Sequence, residues 1–448
     1  MSERDSDDPE KKYGPALDAA FDKAGDRIEE IHGEIEAAAG LLEELTATPG
    51  EKRSERVRTE VRFHALKLCD LLLKRSREAW FRDPARAVEL ARLAAEASEW
   101  LDVQYYGEVL VEEERALAWA YLGNAYRISS DLRSAEEALL RAEEHFKRGG
   151  EDALTGAQIL SFMASLRTSQ GRFSEAADLI DQAIAVYRET RDRHLEGKAL
   201  IKKGTVLGYA GRYPEAVRIV QRGLSRINLM EEPRLLVAAR HNLIWYLNES
   251  GRHEEALNNL QAARAVYLEL GEQTHLIRLR WLEGRICRDL GRLDQAEVAL
   301  REARDGFVER RIGFDAAMAS LDLATVYLQQ GRTGELKRLA TEMVPVFESR
   351  DVHQEALAAL LLFRQAADAE EVTLGLLERT RDISSARGRT RICGSKGTRQ
   401  GSNALQMVTT ARRSLQRPAD PYNGPQILKR PADPYNGPQI VTTARRWL

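Results

Sequence analysis

The chain has only three cysteines in 448 residues, Cys69, Cys287 and Cys393. They are too few and too far apart for a disulfide framework, which points to a reducing compartment, the cytoplasm. Cys69 and Cys287 fall in helical patterns and read as small buried residues. No apolar run approaches the eighteen residues of a membrane span. The opening MSERDSDDPEKK has neither the basic start nor the apolar stretch of a signal peptide. Histidines are scattered and none forms HExxH; no CxxC pair exists; GxxxxGK[ST] is missing, although the tail contains GSKGT without a strand before it. No catalytic set, metal site or cofactor is therefore expected, and the protein is expected not to be an enzyme.

Aromatics make up 6% of the chain and charged residues 31%, with 13 prolines in all. Ala, Leu, Glu and Arg dominate, the composition of a helical protein with a long charged surface. The net charge of −3 hides a split: residues from Ile383 onward carry +10, so the rest of the chain carries −13.

One phrase returns at a fixed interval. GRFSEA begins at Gly171, GRYPEA at Gly211, GRHEEA at Gly251, GRLDQA at Gly291 and a degraded GRTGEL at Gly331. A constant period of forty residues is the mark of a solenoid. Around the first copy a helix is expected over about Ala157–Ser169. Gly171 ends it, because glycine accepts the left-handed conformation without steric cost. A second helix is expected from Ser174 as N-cap, with Ala176, Ile180, Ala183 and Val186 on one face. Each phrase is thus the elbow of a helical hairpin, its closing alanine allowing close approach. A single hairpin cannot bury its apolar face, so the phrase recurs.

The stretch WAYLGNAYRISSDLRSAEEALLRA resembles a tetratricopeptide repeat through Trp119, Leu122, Gly123, Tyr126, Ala135 and Ala142. Carried forward, the small residue of the first helix falls on Ala164, Gly204, Gly284 and Ala324, and fails at Ile244; the last alanine falls on Ala183, Ala263 and Ala303, with Gly223 in the third copy. The period departs from the family's usual 34 residues. Long-helix arrays of this kind resemble the sensory domains of some bacterial regulators. The resemblance implies an all-α, right-handed superhelical α-solenoid of hairpins over residues 82–382. Residues 1–12 read as a disordered acidic start and 13–81 as N-terminal helices capping the array, among them one over Val57–Arg75. DPARAVELARLAAEA reads as the second helix of a diverged first repeat, and EVTLGLLERTRD as a last helix.

Residues 383–448 are of another kind. They hold six of the prolines, and RPADPYNGPQI occurs twice, letter for letter, at Arg417 and Arg430. Such composition reads as disordered. Identical copies point either to recent duplication or to sequence foreign to the protein; a native basic arm, touching nucleic acid only through non-specific phosphate contacts, is the other reading.

The resemblance also implies a concave groove lined by the first helices. It projects Asn124 and Arg127, Lys198 and Tyr209, then His241, Trp245 and Asn248, then Arg278, Trp281, Arg285 and Arg288. In RLRWLEGRICR the last four share one helical face at i, i+3, i+7 and i+10. Guanidinium groups bind carboxylates bidentately and an indole holds an apolar or cationic group. Two readings stand side by side: a basic, aromatic pocket for a protein or peptide with acidic residues or a free C-terminus, or tryptophans packed between hairpins and arginines paired with the chain's own glutamates. Trp119 sits at a consensus core position. The expected function is a scaffold binding a protein or peptide; the alternative is a regulatory sensor of a signalling peptide or small molecule.

Overall fold

The computed structural model describes residues 33–348, apart from 81, 229–231 and 271, and beyond them Leu377. The expectations for residues 1–32, for the last helix apart from Leu377, for Cys393 and for the basic tail lie outside the described residues. Among the described residues there are helices and turns, and no strand. By its contacts the chain divides into two compact units, Met1–Leu166 and Arg167–Leu448.

In the first unit α1 is described over residues 33–47. There follow α2 (Gly50–Thr59), a 3-10 turn (Val61–Phe63), α3 (Leu66–Ala79), α4 (Pro84–Glu99), the short α5 (Val103–Tyr106), α6 (Glu108–Ile128) and α7 (Leu132–Gly149). One core runs from Leu42 and Leu45 through Trp80 and Leu90 to Tyr121 and Ala138. The single helix expected over Val57–Arg75 is broken. Glu60 and Ala65 are extended, and between them Phe63 turns inward to complete burial. Arg56 and Arg62 each stand 5.1 Å from its ring. Burying a phenylalanine contributes about 1.5–3 kcal/mol, more than the helical propensity of one turn. The expected start at Asp83 is observed: Asp83 caps α4 by accepting from Arg86 N at 3.0 Å, with proline in the first turn.

The division falls within α8 (Ala153–Ser169). The second unit continues with α9 (Phe173–Glu189), α10 (Arg193–Tyr209), α11 (Tyr213–Leu224), α12 (Pro233–Glu249), α13 (His253–Leu270), α14 (Gln273–Asp289), α15 (Leu293–Glu309), α16 (Gly313–Gln329) and α17 (Thr333–Glu348). The recurring phrase is a helix exit and a helix entry in one. Gly171, Gly211, Gly251, Gly291 and Gly331 all have φ between 67° and 76°. In the first copy Gly171 N donates to Thr168 O and Arg172 N to Arg167 O, the paired bonds of a glycine C-cap. The N-cap of α9 is then Arg172, and Ser174 lies within the helix, two residues later than a capping serine needs. The cap is held by charge instead: Arg172 grips Glu175, and Arg212–Glu215, Arg252–Glu255 and Arg332–Glu335 repeat the pair. Only GRLDQA lacks the glutamate, and Arg292 reaches to Glu254 of the preceding hairpin at 2.6 Å.

The alanine that closes each phrase, Ala176, Ala216, Ala256 and Ala296, is fully buried. Opposite, a Cβ on Gly204 would stand 2.3 Å from Val220 Cγ2, and one on Gly284 2.6 Å from Leu300 Cγ. Helices of a hairpin approach too closely there for any larger residue. Two clusters fill the unit, one around Tyr246, Leu247 and Tyr267, the other around Phe307, Leu321 and Tyr327. Leu377 is buried in the second.

Candidate functional site

The first helices of the second unit's hairpins, α10, α12, α14 and α16, touch one another in sequence order. Their shared face carries buried polar residues, which need partners because an unpaired polar group in an interior destabilises by about 1–3 kcal/mol. Most of the partners come from the neighbouring first helix.

On α10, Lys198 and Glu232 pair at about 5% exposure each, and His194 Nε2 approaches the same carboxylate at 3.4 Å. Burial raises the Glu232 carboxyl, but the His194 hydrogen bond and the Lys198 charge together hold it below the usual range. Tyr209 stacks near Phe173, ring centres 6.5 Å apart. On α12, His241 is half-buried. Asn248 Nδ2 donates to Asp289 at 2.6 Å, and its Oδ1 meets His253 Nδ1 at 2.9 Å.

The four residues of RLRWLEGRICR all lie on α14, and each meets a carboxylate. Asp322 on α16 is the hub. Trp281 Nε1 donates to its Oδ2 and Arg288 Nη1 to its Oδ1, both at 2.7 Å. Arg288 also holds Asp289. Burial raises Asp289, yet the Arg288 charge and hydrogen bond bring its carboxyl below the usual range. Arg285 donates to Glu249 at 2.7 Å, and Arg278 to Asp315 at 3.1 Å. Three guanidiniums face four carboxylates, so the cluster is compensated rather than basic. Trp281 packs edge-on against Phe307 and is 2% exposed.

The sequence reading collected the cations on one helix face and missed the anions, because these stand on other helices. The partners lie 34 to 41 residues away: 34 for Lys198–Glu232, 37 for Arg278–Asp315, 41 for Asn248–Asp289 and for Trp281–Asp322. That offset is one repeat, give or take a few residues of helix. A search for opposite charges near the repeat period would have found them.

The buried polar atoms on this face without a hydrogen-bond partner among the described residues include Asn242 Oδ1, Trp245 Nε1 and Arg285 Nε. Asn242 is fully buried and its Nδ2 makes only a long 3.4 Å bond to Thr205; turning the amide over leaves one end unpaired all the same. Trp245 is 4% exposed. Arg285 Nε is 3.8 Å from Asp322, beyond a hydrogen bond. Trp245 precedes Glu249 by one turn of α12, and Arg285 bonds Glu249, so these groups share one region.

In the first unit, Arg127 Nε donates to Asn124 Oδ1 at 3.0 Å, and the Nδ2 of the buried Asn124 has no partner among the described residues. Trp119 is half-buried at the core's edge, not inside it: its Nε1 donates to Glu99 at 2.8 Å and Arg141 lies 4.6 Å from its ring. Among the described residues no group of three His, Cys, Asp or Glu side chains is placed to hold a metal ion, and no helix is long and apolar enough to cross a membrane.

Residues 155–228 match the model of the tetratricopeptide repeat family. A comparison with curated proteins gives no match. Among solved structures the chain is similar to apo RapI, at 14% identity over 77% of this chain and 98% of that one, with a TM-score of 0.53. It is also similar to aspartyl phosphate phosphatase F from Bacillus subtilis, at 15% identity over 68% and 74% with a TM-score of 0.50. The third is a signal transduction ATPase with numerous domains and a tetratricopeptide repeat sensor, from Pyrococcus horikoshii: 14% identity, 75% of this chain, 52% of that one, TM-score 0.52. Likeness at these identities is one of fold.

Proposed function

We propose that this chain, whose hairpins are tetratricopeptide repeats, is a non-catalytic cytoplasmic scaffold that binds a protein or peptide along the first-helix face of its second unit. The unpaired polar atoms of Asn242, Trp245 and Arg285 carry the reading. A peptide backbone offers an N–H and a C=O at each residue, which would serve Asn242 and Trp245. A carboxylate, such as a free C-terminus, would serve Arg285 Nε, a buried guanidinium N–H of the hub region without a partner among the described residues. The compensated charges around it favour amide pairing over broad acidic attraction, and Lys198, Tyr209, His241, Asn248, Arg278, Trp281 and Arg288 frame the face.

The test uses substitutions that remove the unpaired polar atoms and keep the shape. Trp245→Phe and Asn242→Leu take away groups unpaired in the free protein, so thermal stability rises, by up to about 1 kcal/mol for Trp245→Phe. Capture from native cytoplasm on full-length chain then loses a partner held by the wild type. A partner retained by both variants would place binding elsewhere. The sensor reading gains if the wild type captures no protein but is stabilised by a low-molecular-weight extract. The structure of the archaeal protein, whose repeats are described as a sensor, supports that second reading at the level of fold.

A further inference from the structure

A separate group of residues in the second unit lies off the first-helix face. Arg188 stands in the last turn of α9, Arg222 in the last turn of α11 and Arg226 just after it. All three converge on the single carboxylate of Glu196, in the first turn of α10. The convergence follows from an unusually close contact. Gly197 and Gly223 face each other across α10 and α11: a Cβ on Gly223 would lie 2.9 Å from Gly197 O, and one on Gly197 would lie 3.0 Å from Arg226 Cβ. This is the repeat in which glycine replaces the family's alanine at residue 223, and the replacement brings the end of α11 down beside Glu196.

The carboxylate does not satisfy the three guanidiniums. Arg188 Nε donates to Oε1 at 2.7 Å. Arg222 Nη2 stays 3.9 Å away. Arg226 Nε lies 3.0 Å from Oε2, yet its N–H has no acceptor among the described residues. Three positive charges against one negative leave two in excess. The adjoining turn does not change this, since Glu189, Arg191, Asp192 and Arg193 cancel. Glu196 is buried, whereas Arg188 and Arg222 are each 47% exposed, so the excess faces solvent over a fixed anionic anchor. Helix C-termini favour cations and explain arginines at the ends of α9 and α11, but not their gathering on one carboxylate.

We propose that Arg188, Arg222 and Arg226 form a binding site for a phosphoryl group. A phosphate monoester carries close to two negative charges at neutral pH and offers three acceptor oxygens, matching the two excess charges and the guanidinium forks. A carboxylate matches only half of the charge. The site is independent of the peptide face proposed above.

Titration calorimetry of the full-length protein with inorganic phosphate, with a phosphoserine peptide and with its unphosphorylated twin tests this. Binding of the phosphorylated species is expected to weaken about tenfold or more in Arg222→Gln and in Arg188→Gln, from the loss of a charged hydrogen bond. Both residues are exposed, and circular dichroism should show the variants folded. Glu196→Gln removes the competing carboxylate and is expected to tighten phosphate binding, a direction that a merely structural ion cluster would not give. Equal binding of phosphate and phosphopeptide identifies a free-anion site; binding of the phosphopeptide alone identifies a modified side chain of a partner. Binding of neither, or binding unchanged in both arginine variants, overturns the proposal. Trp245→Phe should leave phosphate binding intact, which separates this site from the first-helix face.

Discussion

The two units solve the problem of buried charge differently. In the first, buried carboxylates are met by backbone N–H groups and by a histidine. Glu113 of α6 is buried and accepts the backbone N–H groups of Glu151 and Asp152 at 3.0 and 2.7 Å, just ahead of α8. His145 is clamped between Glu112 at 2.8 Å and Glu99 at 3.3 Å. In the second, side chain meets side chain: a polar residue on one first helix finds a partner side chain on a neighbouring first helix, about one repeat away. Regular stacking fixes the offset between equivalent residues, so a pair that works once can recur. It also concentrates failure, because a group without a counterpart at that offset, such as Trp245 Nε1, stays unpaired.

The comparison breaks most visibly at Asp322. Removing it takes a carboxylate acceptor from Trp281 Nε1 and one of two from Arg288, in a site where Asp322 itself is 1% exposed. Asp322→Ala should destabilise the second unit by about 3–5 kcal/mol, read from the urea midpoint. A loss under about 1 kcal/mol would show that the cross-repeat network holds nothing.

The turns sharpen it from the other side. Where the second unit has glycine, the α6–α7 turn of the first has Ser130 at φ 70°, with the same paired backbone bonds. Gly251→Ala should lower stability by about 1–2 kcal/mol and Ser130→Gly raise it by about half to 1 kcal/mol, since only glycine adopts this region without strain. Equal and opposite effects in thermal melts would show the two turns to be one device; no gain at Ser130 would show that its conformation is relieved by its surroundings.

The smallest effect is expected in acid. The His145 hydrogen bond, against burial and with help from Trp119, holds the Glu99 carboxyl at about 2. Its folded value lies below the unfolded one of about 4.3, so its contribution is full above that pH and is lost as pH falls toward 2. Solvent screens a carboxylate this exposed, and the contribution is modest. Tryptophan fluorescence of Glu99→Gln should therefore show a flatter stability profile between pH 4 and 2 than the wild type; parallel profiles would remove Glu99 from the account.

Much of the hairpin architecture was legible because glycine marks a left-handed turn and forty residues separate the marks. The turns at Ser130, Arg191 and Arg311, all left-handed without glycine, carry no such mark. The break at Phe63 was hidden because helical periodicity continues across it, and only the core beneath decides that the chain turns. The first-helix residues were legible as a set. Their burial and pairing were not, since a cation's partner forty residues away contributes nothing to the pattern of its own helix. The likeness to a tetratricopeptide repeat fixed which helices come first, and left open what each side chain meets.

Arg292 gives the array a mechanical property. Its sister arginines grip a glutamate within their own turn, but Arg292 ties back to Glu254 in the hairpin before, as Arg332 also does to Glu297 besides its own Glu335. Under tension an array held by nearest-neighbour contacts sheds one hairpin at a time, each releasing about 140 Å of chain. The tie from Arg292, together with the hub joining α12, α14 and α16, clamps three successive hairpins into one link. Stretched, the protein would behave less like a uniform spring than like a chain with one stiff segment.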